Sequence, residues 1–209
     1  MTTNAKTGRV RRHYDRNAEN YDRLIAVAER VFFGGGREWV CSRARGEVLE
    51  IAVGTGRNLP LYPEDVRLTG IELSPLMLTV ARRRAREERI EADLRVGDAQ
   101  DLQFPNASFD SVVATLALCT VPDDRQAVAE AARVLRPGGR LLLLEHVRSP
   151  LLPVRVAQAL LNPFSVLLEH DHLLRDPLRH VEGAGLIVEE LERSNLGVVE
   201  RLAAVKLIS

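Results

Sequence analysis

The chain has 209 residues, 45% of them hydrophobic and 28% charged, the composition of an ordinary globular protein of one domain, residues 1–209, with room for a helical appendage. Its formal net charge of zero excludes bulk nucleic-acid binding, which needs an excess of Lys and Arg, and an aromatic content of 4% leaves few stacking platforms for single strands. Cys41 and Cys119 are far apart and form no metal-ligand spacing, so a reduced, cytoplasmic compartment is expected. No signal peptide is expected, because residues 1–20 are polar and Arg-rich, and no apolar run is long enough to span a bilayer.

Residues 8–44 read as helical and basic, with a break at Gly34-Gly35-Gly36. From residue 47 short apolar runs alternate with helical patterns, giving strands at 47–52, 67–72, 93–97, 110–116, 140–146, 186–192 and 198–207. Helices are expected at 75–89, opened by Ser74-Pro75, and at 123–135, closed by Arg136-Pro137-Gly138-Gly139. Residues 151–169 are an apolar insertion interrupted by Pro153 and Pro163, and a helix is expected near 173–183. Between 192 and 198 only a short turn around Asn195 and Gly197 fits, so the last two strands pair antiparallel. The fold class is α/β: a Rossmann-like, mostly parallel seven-stranded sheet with helices on both faces and an antiparallel last hairpin.

The stretch from Val48 to Asn58 carries the chemistry: an apolar strand ends near Glu50 and runs into Gly54-Thr55-Gly56. The next strand ends in Glu72, placed to accept from ribose hydroxyls while the glycines let backbone come close to a ligand. A dinucleotide fingerprint needs a third glycine and a helix N-terminus for the pyrophosphate. This chain has Leu59 and then Pro60 there, so a ribose ligand without a pyrophosphate, such as S-adenosylmethionine, fits better than a nicotinamide dinucleotide.

Several stretches together resemble the class I S-adenosylmethionine-dependent methyltransferases: Tyr14 to Asp22, Glu50 to Gly56, Glu72, Gly97-Asp98-Ala99, Phe104-Pro105 with Ser108-Phe109-Asp110, and Leu135 to Gly139. Leu144-Glu145-His146-Val147-Arg148-Ser149 resembles the branch holding phospholipid N-methyltransferases, ubiquinone/menaquinone C-methyltransferases and thiol methyltransferases. The resemblance implies S-adenosylmethionine as cofactor, S-adenosylhomocysteine as product, and residues 1–45 as a helical lid carrying Tyr14 and Tyr21 over a core at 46–209. It implies Glu50 near the methionine amino group and Gly54 and Gly56 beside the amino-acid part. Glu72 would grip the ribose and Asp98 the adenine amino group, with Ala99 and Gln100 beside the ring and Leu116 under the donor. Ala52, Asn58 and Leu73 complete the cofactor-binding set. The family's loop usually carries glycine where this chain has Ala52, and the extra methyl group is expected to shift or weaken the cofactor's amino-acid end.

His146, at the end of the fifth strand, is the candidate catalytic residue; a hydrogen-bonded structural histidine is the alternative. A metal reading of Glu169-His170-Asp171-His172 is rejected, since adjacent side chains diverge and no remote partner is evident, and no metal is expected. The expected reaction is methyl transfer to a small apolar acceptor: a phospholipid amine, a quinone-like carbon or a thiol. The alternatives are a soluble specialised metabolite as acceptor, or S-adenosylmethionine binding without methyl transfer. Residues 151–169 are read as a cover for that acceptor, as a helix packed on the sheet, or, with the basic N-terminal helix, as a peripheral contact with an anionic membrane. Leu173-Leu174-Arg175-Asp176 departs from the asparagine-containing pattern associated with the phospholipid enzymes, which weighs against the lipid acceptor.

Overall fold

A computed structural model of the chain describes residues 3–208. Residues 1–2 of the expected N-terminal segment, and residue 209, lie outside the described residues. The strands are β1 (Glu47–Ile51), β2 (Arg67–Glu72), β3 (Ala92–Val96), β4 (Phe109–Thr115), β5 (Leu135–His146), β6 (Leu186–Ser194) and β7 (Val199–Lys206). They form one sheet in the order β3-β2-β1-β4-β5-β7-β6. The pairs β2–β3, β1–β2, β1–β4 and β4–β5 are parallel, while β7 runs antiparallel to both β5 and β6. All seven expected strands and the antiparallel end of the sheet are present. Asn195, Leu196 and Gly197 turn the last hairpin with φ of 50°, 60° and 77°.

Alternation along the strands builds two cores, because successive side chains point to opposite faces. On one face Leu49, Val112, Ala114, Leu141, Leu143 and Leu202 pack under Ala127, Val128 and Ala131 of helix α5 (Asp124–Val134). On the other, Val48, Val113, Leu142, Leu144 and Ala203 pack under Val40 and Cys41 of α3 (Gly36–Cys41) and Leu78 and Ala81 of α4 (Pro75–Glu88). Leu141 to Leu144 are all fully buried, so truncating any one to alanine costs about 2–5 kcal/mol. Ser74 caps α4 by accepting from the Met77 amide at 3.1 Å, and Asp123 caps α5 by accepting from Gln126 at 3.0 Å.

Two boundaries differ from the sequence reading. The N-terminal helix is two helices, α1 (Thr3–Asn17) and α2 (Tyr21–Phe32), separated by a turn in which Asn20 N–H bonds the Asn17 carbonyl. β5 begins at Leu135, which pairs with Phe109 before the register jumps to Ser111 opposite Arg140. The Pro137-Gly138-Gly139 turn is therefore a wide bulge within the strand, with Gly138 at φ 79°.

The insertion at 151–169 is helix α6 (Leu152–Glu169), and none of its residues is buried. A shorter helix, α7 (Pro177–Gly183), precedes β6. Amide side chains tie α6 to the body: Gln158 donates to the Val147 and Leu173 carbonyls, and Asn162 accepts from the Leu173 amide. Leu152, Val156, Leu160, Phe164 and Leu167, three or four residues apart and thus on one helical face, are all at least half exposed. The polar side chains hold the helix down and the apolar face looks outward, the reverse of an ordinary surface helix.

Candidate active site

Strand order reverses at β1, which lies between β2 and β4, and crevices for ligands open at such switch points beyond the strands' carboxyl ends. A cavity of about 780 Å³, counting its open mouth, lies there. Its floor is Ala52, Val53 and Gly54 after β1, Glu72 and Leu73 after β2, Gly97 to Ala99 after β3, and Thr115 to Ala117 after β4. Val10 and Tyr14 of α1 and Tyr21 of α2 roof it, and Arg37 of α3 closes one wall.

Glu72 is buried with its carboxylate held on both oxygens: Oε2 accepts from the Gly54 amide at 2.9 Å and Oε1 from the Ser74 amide at 2.8 Å. Burial pushes its carboxyl up, against the lowering by those amides. Each carboxylate oxygen has a second lone pair, so a fixed pair of acceptor sites remains for two hydroxyls. Asp98 also lines the cavity, with its carboxylate oriented by the Gln100 backbone and side-chain N–H groups, both at 2.9 Å from Oδ1. Gln100 lies behind it and ties the loop to α1 through Thr7 at 3.3 Å. Tyr14 and Tyr21 meet edge to face, with centroids 5.9 Å apart, over Ala18, Met77 and Val80. Burial raises both hydroxyls, which keeps them protonated and able to donate.

Ala52 and Leu116 line the cavity with φ of 56° and 53°, left-handed conformations that strain an L-residue with a Cβ. That explains why a glycine suits position 52. Ala52→Gly is expected to leave stability unchanged or raise it by up to about 1 kcal/mol, since relief of strain exceeds the entropy given to the unfolded chain. Thermal unfolding checks this, and a fall in Tm of more than about 2 °C would count against it. A Cβ on Gly54, at φ 60°, would meet only Met77 at 3.7 Å and the Ala52 carbonyl at 3.9 Å, whereas a Cβ on Gly56 would come within 2.8 Å of Leu59 and 3.2 Å of Ala81. Gly56 thus packs the turn against α4 and does not line the cavity.

Glu50 and Asn58 also lie outside the lining, beneath the floor. Glu50 accepts from Asn58 Nδ2 at 2.8 Å and the Tyr62 hydroxyl at 3.0 Å, and burial pushes its carboxyl up to about 7. Between it and the cavity stands Arg37, which sequence reasoning missed: Nη1 donates to Asn58 Oδ1 at 2.8 Å and Thr115 Oγ1 at 2.9 Å, and Nε donates to Glu29 of α2 at 2.8 Å. Thr115, Met77 and Thr120 of the lining were also missed. A carboxyl whose folded value is raised stays protonated when the unfolded chain has already ionised, so its stabilising contribution falls as pH rises from about 4.5 to about 7. Glu50→Gln is expected to flatten that part of the unfolding free energy against pH; an unchanged slope would contradict the raised value.

His146 stands apart from the lining, with Nε2 at 2.6 Å from Asp171 Oδ1 and a buried Nδ1 that has no partner among the described residues. Burial pulls the imidazole down, but the Asp171 hydrogen bond and charge outweigh it and raise the ring above its ordinary value.

Residues 49–143 match the methyltransferase domain family. A phosphatidylethanolamine N-methyltransferase of Cereibacter sphaeroides is 43% identical over 119 residues, covering 54% of this chain and 59% of its own. A ubiquinone/menaquinone biosynthesis C-methyltransferase, UbiE, of Dinoroseobacter shibae is 36% identical over 155 residues, covering 69% of this chain and 62% of its own. The chain thus spans about three fifths of the length of these relatives. A solved Thermotoga maritima structure, described as an S-adenosylmethionine-dependent methyltransferase and possible histamine N-methyltransferase, shares the fold with a TM-score of 0.71, covering 93% of this chain and 99% of its own at 23% identity. The sheet order, the Gly-x-Gly turn facing a fixed strand-end acid, and these matches lead to one conclusion: the chain has the fold of the S-adenosylmethionine-dependent methyltransferases, and its residues 49–143 match the methyltransferase domain family.

Proposed function

We propose that this protein transfers a methyl group from S-adenosylmethionine to a small apolar acceptor. The observation that carries the reading is the Glu72 carboxylate, fixed by the Gly54 and Ser74 amides at the mouth of a Gly-x-Gly turn. That turn leads only into a 3-10 turn, Leu59–Leu61, too short to offer a pyrophosphate the N-terminus of a helix. In this reading Glu72 holds the ribose hydroxyls, Asp98 the adenine amino group with Ala99 beside the ring, and Leu116 lies under the methyl-bearing end. Gly54 lets backbone approach the amino-acid part, and Arg37 with Arg57 supplies positive charge for its carboxylate. Glu50 and Asn58 act from beneath, holding Arg37, while Tyr14 and Tyr21 form the lid. The bound cofactor supplies an electrophilic methyl on a sulfonium. The chain aligns the acceptor for in-line attack and keeps water out. A neutral amine or a thiolate needs no base, whereas a carbon or oxygen acceptor needs one, and His146, apart from the cavity lining with Nε2 on Asp171, is not placed to supply it.

The outward apolar face of α6 supports an apolar acceptor. The start of α6 adjoins the last hairpin, where Ser149 Oγ bonds the Leu196 carbonyl and Gly197 sits against Pro150. That hairpin in turn reaches α2, since Asn195 donates to the Phe32 carbonyl. Phe32, Leu151, Leu152 and Leu196 are all exposed, which extends the apolar surface from α6 to α2. At the other end of α6, His13 of α1 pairs with Glu169 at 3.1 Å, and α1 exposes Lys6, Arg9, Arg11, Arg12 and Arg16. An apolar face beside a cationic helix suits an anionic membrane surface, where a lipid or quinone acceptor is held. No helix among the described residues is long and apolar enough to cross a membrane, so the contact would be peripheral.

Methyl transfer from isotopically labelled S-adenosylmethionine to an extract of the source cells, split into organic and aqueous phases, tests the reading. Label in the organic phase is expected; label confined to the aqueous phase would remove the apolar acceptor, and none in either would remove methyl transfer. For the membrane contact, binding to anionic vesicles is expected to fall with salt and to drop roughly 100-fold in a Leu160→Asp, Phe164→Asp double variant. Equal binding by the variant would show that α6 does not insert.

A further inference from the structure

The rejected Glu169-His170-Asp171-His172 cluster lacked a remote partner, and the fold brings two to it. Asp171, His146 and Cys119 each place one donor atom within 4.8 Å of the others'. They come from three segments: the end of β5, the loop after β4, and the connection between α6 and α7. The Cys119 carbonyl accepts from the His172 amide at 2.9 Å, which fixes the third segment against the second. Next to the thiol lies Glu145, buried, with Oε1 taken by the Ala117 and Leu118 amides and Oε2 without a hydrogen-bond partner among the described residues. Among the described residues, neither Asp171 nor Glu145 pairs with a lysine or arginine. Two carboxylates, a thiol and an imidazole are thus gathered with no lysine or arginine paired to the acids; His146 is the ion-pair partner of Asp171, and acidic groups gathered in this way suit a bound counter-ion.

We propose that Cys119, His146 and Asp171 bind a divalent zinc-class cation. Sulfur, imidazole nitrogen and carboxylate oxygen are the donors zinc takes, and three protein ligands leave its fourth position open. Tetrahedral zinc with bonds of roughly 2.0–2.3 Å sets its donor atoms roughly 3.3–3.6 Å apart. Reaching that geometry lengthens the His146–Asp171 contact by under about 1 Å and draws the thiol inward. Burial and the two neighbouring carboxylates push the Cys119 thiol well above its ordinary value, so without a cation it stays a thiol. On binding, the thiol proton leaves to solvent with any proton on the coordinating imidazole nitrogen, and nothing is oxidised or reduced. The site borders the methyl-transfer cavity, because Ala117 and Thr120 line that cavity on either side of Cys119. An ion there would pin the three segments together whether or not the cavity binds S-adenosylmethionine.

Titration of the full chain with Co²⁺ tests this, reading thiolate-to-metal charge-transfer absorption in the near ultraviolet. The band is expected to saturate at one ion per chain, to be reversed by Zn²⁺, and to release protons into weakly buffered solution. Cys119→Ser should abolish the band, while Cys41→Ser, in the core on the other face of the sheet, should keep it. Asp171→Asn and His146→Gln should each weaken Zn²⁺ binding about 100-fold, and they decide the matter if the serine variant does not fold. Absence of the band, or a band of wild-type intensity in folded Cys119→Ser, would overturn the proposal, as would Zn²⁺ affinity unchanged in both Asp171→Asn and His146→Gln.

Discussion

Glu72→Ala is expected to weaken S-adenosylhomocysteine binding by roughly 100-fold or more. Two hydrogen bonds from ribose hydroxyls to a carboxylate contribute about 1.5–3 kcal/mol each, and every 1.4 kcal/mol is about tenfold in affinity. Glu72 is held on both oxygens before any ligand arrives, so little ordering is left for binding to drive. Calorimetry on the folded variant measures the loss. Glu72→Gln keeps one acceptor oxygen but loses the charge, and should fall between the two at about a tenfold loss. Wild-type affinity in a folded Glu72→Ala protein would remove Glu72 from the ribose and with it the orientation proposed for the ligand.

Arg37→Ala is expected to lower stability by about 3 kcal/mol, a drop in Tm of about 6–12 °C for a chain of this size. The guanidinium joins three elements at once: Glu29 on α2, Asn58 after the Gly-x-Gly turn, and Thr115 at the end of β4. Its removal leaves buried Glu29 with Arg57 as its remaining cationic partner and strips donors from the other two. Arg37→Lys should not restore the loss, because one ammonium cannot reproduce a planar fork reaching three acceptors. Amide exchange should quicken first in α2, which carries Tyr21 over the cavity. A Tm within about 2 °C of wild type would show that Arg37 is not the link between helix and floor.

The strands were legible because burial on both faces selects short apolar runs, and Leu141-Leu142-Leu143-Leu144 cannot be placed at a surface. The hairpin was legible from Asn195 and Gly197, whose residue types tolerate positive φ. The break between α1 and α2 was not, since Ala18-Glu19-Asn20 contains no proline or glycine to mark it. Nor was the early start of β5, which depends on Leu135 meeting Phe109 across 26 residues of sequence. In the site, Gly54, Glu72 and Asp98 could be found because turns and strand ends announce themselves locally. Arg37 and Thr115 could not, because the bond between them joins residues 78 apart in the chain. The same limit hid the meeting of Cys119 and His146 with Asp171, and it hid the outward turn of α6, whose pattern equally suited a packed helix.

The central claim is that the cavity takes an adenosyl ligand without a pyrophosphate. Titration of the wild-type chain with S-adenosylhomocysteine and separately with NAD, followed by calorimetry, tests it most directly. One site per chain for S-adenosylhomocysteine and no heat with NAD is the predicted result. Tighter binding of NAD, or no heat with either ligand, would contradict it.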